Sequence, residues 1–215
     1  MRPLTRRHLL AALAAAAAAR ALPARAETAR AAQLSAQDAA ALGQVQQYLD
    51  GIRTLRSRFQ QYAQDGGVAA GTIYLQRPGK MRIVYDPPTP ILIVSDGRAV
   101  YYWDSKLEQL SQIGVEDTPA WFLLRPEIKL SGDVTVTGFR HEPGVLRIAM
   151  AETKSPDQGS LTLVMSERPF ELKQWTVVDP QQRQVTVMLE SPEYGVALDP
   201  NLFFWTRQTS GPSSH

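Results

Sequence analysis

From Val68 onward the chain consists of short runs of alternating apolar and polar residues, separated by turn sequences about every 8 to 12 residues. Alternation with a period of two places the apolar side chains on one face of a β-strand. These runs cover residues 69–77, 80–86, 91–95, 98–104, 107–112, 133–140, 144–150, 160–166, 171–179 and 183–190. Repeated short strands joined by tight turns predict an all-β sandwich or barrel.

The turns between the runs have identifiable causes. Arg77-Pro78-Gly79-Lys80 has proline and glycine at the two central positions of a type II turn. Asp96-Gly97 is typical of a tight hairpin. Pro87-Pro88-Thr89-Pro90 cannot lie inside a central strand, so we expect an edge or a corner of the sheet there.

One amphipathic helix is predicted over residues 35–51. Ser35 and Asp38 have the spacing of an N-terminal capping pair, and Gly51 is a natural C-terminal end. Apolar residues follow at spacings of three and four: Leu42, Val45, Leu49 and Ile52. After this helix the apolar–polar alternation of residues 55–60 predicts a strand.

A second, short helix is predicted between two strand regions. Thr118 followed by Pro119 has the pattern of an N-cap and a first helical position, and Arg125-Pro126 ends the helix. The residues between them, Trp121-Phe122-Leu123-Leu124, leave no polar face. Such a helix must be covered by the core, by a partner or by a ligand.

The first 26 residues predict an export signal. They combine a basic start, an apolar run from Leu9 to Ala19 and the small-residue end Ala24-Arg25-Ala26, so we expect cleavage near Ala26/Glu27. The apolar run is too short to span a bilayer, which needs roughly 20 residues. Thr5-Arg6-Arg7-His8-Leu9-Leu10 resembles a twin-arginine motif, and an ordinary secretory signal is the alternative. The working compartment is then the periplasm, with a single domain over 27–206 and a flexible tail over 207–215.

Composition excludes several classes of function. The chain has no cysteine, which removes disulfides, thiol nucleophiles and Cys-ligated metal sites. Of its 23 basic residues, five lie in the first 26, so the remainder has 18 basic against 21 acidic residues, a net charge of −3 that disfavours nucleic acid. The only histidine between the signal and the last residue, His141, lies at a predicted hairpin tip, where a solvated side chain is the ordinary expectation. Since no catalytic, metal or cofactor motif is present, we expect a binding protein without a cofactor rather than an enzyme.

The apolar residues allow two interpretations. Methionines at 81, 150, 165 and 188 and four tryptophans are each compatible with an ordinary core. A curved sheet combined with two apolar-faced helices can instead enclose a hydrophobic ligand. A hydrolase of an envelope polymer would require a pair of carboxylates on the concave side of the sheet.

Several segments, in order, resemble the LolA-type periplasmic lipoprotein carriers of Gram-negative bacteria. They are Leu55–Gln61 (LRSRFQQ), Gly71–Tyr85 (GTIYLQRPGKMRIVY), Ile93–Asp104 (IVSDGRAVYYWD), Leu107-Glu108-Gln109, Thr118–Leu124 (TPAWFLL) and Asp199–Trp205 (DPNLFFW). The resemblance covers about 55–205. It implies a strongly curved, open antiparallel half-barrel with a helical lid over an apolar cavity. It also implies a monomeric carrier of acylated lipoproteins, which accepts them from an inner-membrane ABC-type release complex and delivers them to an outer-membrane receptor.

The resemblance also implies roles for particular residues. Arg77 would hydrogen-bond to backbone groups of the lid and hold the empty cavity shut. Ile73, Leu75, Met81 and Ile83 would line the cavity, with Ile83 replacing an aromatic residue usual in the family. The lid would consist of the 35–51 helix with Leu42, Val45 and Leu49, and of the short helix with Trp121, Phe122 and Leu124.

Two alternatives to lipoprotein carriage stay open. One is a protein of the same fold that binds another amphiphile, such as a hopanoid or a glycolipid, or that senses lipoproteins; the missing insertions and second domain speak against the sensor. The other is the envelope-polymer hydrolase. A lipid-anchored receptor would need a cysteine, which this chain lacks.

Overall fold

The computed structural model describes residues 28–118 and 121–206. Eleven strands form one sheet: β1 Thr54–Ala63, β2 Val68–Gln76, β3 Lys80–Tyr85, β4 Ile91–Asp96, β5 Ala99–Asp104, β6 Gln109–Gly114, β7 Val134–Glu142, β8 Val145–Glu152, β9 Ser160–Glu167, β10 Phe170–Val178 and β11 Gln184–Tyr194. The helices are α1 Ala36–Gly51 and α2 Trp121–Leu124, with single 3-10 turns at Val115–Asp117, Pro156–Gln158 and Pro200–Phe203. Each predicted strand run coincides with one of these strands to within a few residues.

The sheet is antiparallel, curved and open. Its strand order is β6-β5-β4-β3-β2-β1-β11-β10-β9-β8-β7, so β6 and β7 are the two edges. Neighbouring strands in the sheet are consecutive in the chain except at the centre, where β1 pairs with β11 and joins the two halves. The mainly β half-barrel expected from the resemblance is confirmed. The more general prediction was a sandwich or a barrel, and the structure has a single open sheet instead.

Helix α1 has the predicted start, and its apolar face packs on the concave face of the sheet. The Ser35 Oγ accepts a hydrogen bond from the Asp38 amide at 3.1 Å, as an N-cap residue does. Val45 and Leu49 are fully buried in the main core cluster. The apolar side of α1 is therefore buried against the concave face.

Helix α2 is a single turn in the connection between the edge strands β6 and β7. The Trp121 amide donates to Thr118 O at 3.0 Å, and the Thr118 hydroxyl donates to Val115 O at 2.8 Å. Pro119, predicted as the first helical residue, lies outside the described residues. Phe122 and Leu124 are buried in the same cluster as α1, so both helices pack on the same face of the sheet.

Close packing on the concave face requires glycine at position 71. Gly71 lies between Phe59 on β1 and Tyr85 on β3, and the two rings meet edge-to-face at 5.3 Å. A Cβ at this position would lie 2.2 Å from Val84 O and 2.8 Å from the Phe59 ring. The absence of a side chain at Gly71 therefore lets the two aromatic rings pack together.

The last described residues pack on the convex face. Phe203 is 1% exposed, and the Trp205 ring packs against Tyr101 and Trp103 of β5 with centroid distances of 6.2 and 5.7 Å. The predicted export signal over 1–26 and the predicted tail over 207–215 lie outside the described residues. Within the described ranges, no helix has the length and apolar character needed to cross a membrane.

Candidate functional site

Arg77 directly follows β2, and its guanidinium lies beneath α1. Only 1% of its side chain is exposed. Its Nη1 donates to Leu49 O at 2.7 Å, to Ile52 O at 2.8 Å and to Asp50 O at 3.2 Å. Carbonyl groups in the last turn of a helix have no partner within the helix, and they favour a cation. Since α1 has no basic residue in its own last turn, Arg77 supplies that cation from the sheet.

The same guanidinium also holds the chain that leaves α2. Nε donates to Arg125 O at 2.8 Å, and Nη2 donates to Pro126 O at 3.2 Å. Nη2 also forms an ion pair with Asp50 Oδ1 at 3.1 Å. One side chain next to β2 is therefore hydrogen-bonded both to the end of α1 and to the chain that leaves α2.

Burial and charge act in opposite directions at this contact. Burial lowers the pKa of Arg77, while the hydrogen bond and charge of Asp50 oppose that shift. An arginine guanidinium nevertheless stays protonated in proteins. The pKa of Asp50 is lowered chiefly by the hydrogen bond from the Ile128 amide, with Arg77 contributing in the same direction. Both groups are therefore charged near neutral pH.

The turn after Arg77 provides a further link to α2. Gly79 adopts a φ of 76°, as the third residue of the predicted turn requires, and the Arg77–Pro78 peptide bond is cis. A Cβ on Gly79 would lie 2.7 Å from the Cα of Gly97. The Gly79 amide donates to Leu124 O at 2.8 Å, so the backbone of the turn is hydrogen-bonded to the end of α2.

A cavity of about 130 Å³ lies between the concave face and α2. It is lined by Phe59, Gln61, Ile73, Leu75, Met81, Ile83, Tyr85, Leu123, Leu161, Trp175, Val177 and Val187. All four residues predicted as lining, Ile73, Leu75, Met81 and Ile83, are in this set. Their place follows from the cross-strand pairs Ile73–Ile83 and Leu75–Met81 on β2 and β3.

The lining carries no charge near neutral pH. Its two polar members bond to each other, since the Tyr85 hydroxyl donates to Gln61 Oε1 at 2.7 Å. Burial raises the pKa of Tyr85 to about 12, so the phenol stays neutral. No carboxylate lines the cavity, and the part of the chain that the structure describes contains no metal-binding cluster of acidic or histidine residues.

The predicted lid residues mostly lie in the core rather than at the cavity. Val45, Leu49, Phe122 and Leu124 are buried there, and Leu42 and Trp121 are partly buried against it. Leu49 borders a smaller void of about 20 Å³, which Arg77 also lines. Of the described lid residues, Leu123 borders the main cavity and the smaller void; it lies in the short helix predicted as lid but was not among the residues singled out there.

The second half of the sheet contributes lining that the sequence analysis did not assign. Trp175 and Val177 on β10 and Val187 on β11 complete the wall opposite β2 and β3. Trp175 and Val187 are directly paired across the strands. Alternation along β10 and β11 was the available signal, but the pairing of β11 with β1 cannot be read from local pattern.

Comparison with known proteins identifies the family. The family model described as "Outer membrane lipoprotein carrier protein LolA" matches residues 50–206. The outer-membrane lipoprotein carrier protein of Methylococcus capsulatus is 32% identical over 165 residues, covering 73% of this chain and 78% of that protein. The carrier of the same name from Pseudomonas aeruginosa is 28% identical over 177 residues, covering 78% and 84%.

Among solved structures, a LolA superfamily protein from Nitrosomonas europaea aligns with a TM-score of 0.43 and 9% identity, covering 80% of this chain and 99% of that one. A match this distant adds nothing to the assignment, which rests on the family model and the relatives. The chain belongs to the LolA family of outer-membrane lipoprotein carrier proteins.

Proposed function

We propose that this protein binds the acyl chains of lipoproteins in the cavity under α2 and carries them through the periplasm to the outer membrane. The observation that carries the proposal is an uncharged, apolar cavity closed by a lid that one buried arginine holds. An acyl chain of roughly 15 methylenes gains about 0.8 kcal/mol per methylene on burial, or on the order of 12 kcal/mol. Exposing the same chain to water costs this free energy, so unassisted passage through the periplasm is negligibly slow and a carrier is needed.

The cavity is smaller than the proposed cargo. An apolar void of about 150 Å³ holds one benzene molecule. The cavity of about 130 Å³ is therefore far too small for a whole acyl chain. Loading must move α1 and α2 away from the concave face, and that movement breaks the hydrogen bonds of Arg77 to the helices.

Arg77 would then set the affinity for cargo. A closed state that competes with the loaded state lowers the apparent affinity in proportion to its population. Moderate affinity suits a carrier, because delivery has to be energetically downhill. We propose Arg77 as the lock, Ile73, Leu75, Met81 and Ile83 as lining, and the two helices as the lid.

The proposed route has two membrane partners. An inner-membrane ABC-type complex would release the acylated lipoprotein to this carrier, and an outer-membrane receptor would accept it. The family and the names of the relatives support a role in lipoprotein transport. The absence of a carboxylate from the described lining supports binding over hydrolysis, since cleavage of a glycosidic bond needs two carboxyl groups near the substrate.

The direct test is mass spectrometry of the protein purified from the periplasm. We expect co-purified peptides that carry a diacylglyceryl or triacylated N-terminal cysteine. Recovery of a hopanoid or glycolipid instead would favour the other amphiphile. Purification without any acylated or apolar ligand, from cells with active lipoprotein export, would contradict the proposal.

A further inference from the structure

The segment that follows α2 lies against α1. In residues 126–130, buried Ile128 and Leu130 alternate with exposed Glu127 and Lys129. The two exposed side chains form an ion pair with each other at 3.0 Å. Alternation of this kind is typical of a strand, yet the segment belongs to none of the eleven strands of the sheet.

The backbone of this segment is hydrogen-bonded to side chains of α1. The Ile128 amide donates to Asp50 Oδ1 at 3.0 Å, and the Leu130 amide donates to Gln46 Oε1 at 2.9 Å. Positions i and i+4 of a helix lie on the same face. Two acceptors one helical turn apart on α1 therefore hold alternate amides of the segment.

The contact made by Gln46 is separate from those that hold the lid to the sheet, whereas Asp50 Oδ1 also pairs with Arg77. Near the end of α1, Arg53 Nη1 donates to Pro126 O at 3.0 Å, which adds a third link between the two lid elements. The hydrogen bonds to the sheet come from Arg77 and from the Gly79 amide at the turn after β2. Among the hydrogen bonds of the described residues, Gln46 has none to Arg77 or Gly79, so its contact can be changed without altering theirs.

We propose that Gln46 and Asp50 are positioning residues that join α1 and the 126–130 segment after α2 into one lid, so that both leave the sheet together. This inference deepens the proposed function and rests on it, since a lid matters only if cargo enters beneath it. A lid in two independent halves would expose the cavity in two steps. A joined lid opens it in one step when Arg77 is released.

The test is amide hydrogen exchange of the empty protein, which involves no cargo. In an Arg77→Leu variant we expect exchange of the α1 amides and of the 127–130 amides to accelerate by the same factor. Adding Gln46→Met to this variant removes the acceptor of the Leu130 amide. It leaves unchanged the groups that Arg77 binds in the wild type. We then expect the 127–130 amides to exchange about fivefold faster than those of α1, including amides that Gln46 does not touch.

Gln47→Met is the matched control, because Gln47 is exposed on the same helix. Gln47→Met should leave the acceleration of amide exchange equal in α1 and in residues 127–130. At position 50, Asn keeps an acceptor oxygen and should largely preserve the coupling, whereas Leu should abolish it. The proposal is overturned if Arg77→Leu accelerates only one of the two elements, or if Gln46→Met and Gln47→Met give the same ratio. Either result would leave the mass-spectrometric test of cargo unaffected.

Discussion

Arg77 Nη1 and Leu49 O are 2.7 Å apart, although one directly follows strand β2 and the other lies in the helix that covers the sheet. This contact ties α1 to the sheet beside the smaller void, which both residues line. Five of the six hydrogen bonds of the Arg77 guanidinium go to backbone carbonyls, and the sixth goes to the Asp50 carboxylate. Removal of the guanidinium is therefore a test of lid closure rather than of one side-chain pair.

Replacing Arg77 by leucine should preserve the fold and impair delivery. Without the guanidinium the closed state loses several charge-assisted hydrogen bonds, each worth about 1.5 to 3 kcal/mol. A less populated closed state raises the apparent affinity for cargo, so we expect at least about tenfold slower transfer to acceptor liposomes. Transfer kinetics of a labelled lipoprotein measure this.

Arg56→Leu is the control for that experiment. Arg56 is half-exposed on the neighbouring strand β1, and it pairs with Glu193 at 2.6 Å away from the lid. Exposed ion pairs contribute little to stability, so transfer by this variant should match the wild type. An Arg77→Leu protein that hands over cargo at the wild-type rate would refute the role of the lock.

Two neighbouring residues on β3 separate binding in the cavity from effects on the sheet. Ile83 lines the cavity, whereas Val84 faces the other side and is 37% exposed. We expect Ile83→Glu to lower co-purified cargo at least about tenfold, because a bound acyl chain would exclude water from the new carboxylate. Val84→Glu should retain cargo. Equal loading of the two variants, both folded by circular dichroism, would show that chains bind elsewhere.

Acid should weaken the lid through Asp50. Its pKa is held below the ordinary value of about 3.9 by the Ile128 amide and then by Arg77. A carboxyl group with a lowered folded-state pKa contributes stability that is complete above the ordinary pKa and is lost as the pH falls through the lowered one. The midpoint temperature of thermal unfolding should therefore fall less steeply between pH 7 and pH 3 in Asp50→Asn than in the wild type.

The difference between those two proteins isolates Asp50, since Asp86, Asp96 and Asp179 also have lowered pKa values and contribute equally to both. If the midpoint temperature falls with pH equally in the two proteins, the Asp50 contact adds nothing to stability.

Alanine at position 71 should be strongly destabilising. Its Cβ would lie 2.2 Å from a backbone carbonyl that cannot easily move, so we expect a loss of more than about 2 kcal/mol in the free energy of unfolding. Gly43→Ala in α1 is the opposite case, because nothing lies within 4 Å of the added atom. That change should stabilise by about 0.5 to 1 kcal/mol. Urea unfolding of both variants measures the two effects, and a mild effect of Gly71→Ala would show that the sheet can adapt.

Local sequence rules predict the strands and α1 well. Alternation and turn residues give each strand its place, and the Ser35 cap and Gly51 give α1 its ends. The same alternation puts Ile73 and Leu75 on one face of β2, where the structure has them. These features depend only on neighbours in the chain.

The rest of the site depends on contacts between distant parts of the chain. Four apolar residues in a row do not indicate which of them meets the cavity, so Leu123 could not be distinguished from Phe122 or Leu124. Likewise, Gln46 and Asp50 are ordinary polar residues at helical spacing until the segment after α2 lies beside them.

The central pairing of β1 with β11 has a consequence for the timing of assembly. Phe59 lies opposite Leu189, so the first strand of the sheet must wait for the last before it has both neighbours. Contacts this far apart in sequence form slowly. Val187 and Trp175 join the cavity wall only when β1 and β11 pair, so a partly synthesised chain has no complete cavity. The cavity wall is therefore complete only once the last strand of the sheet has been synthesised and paired.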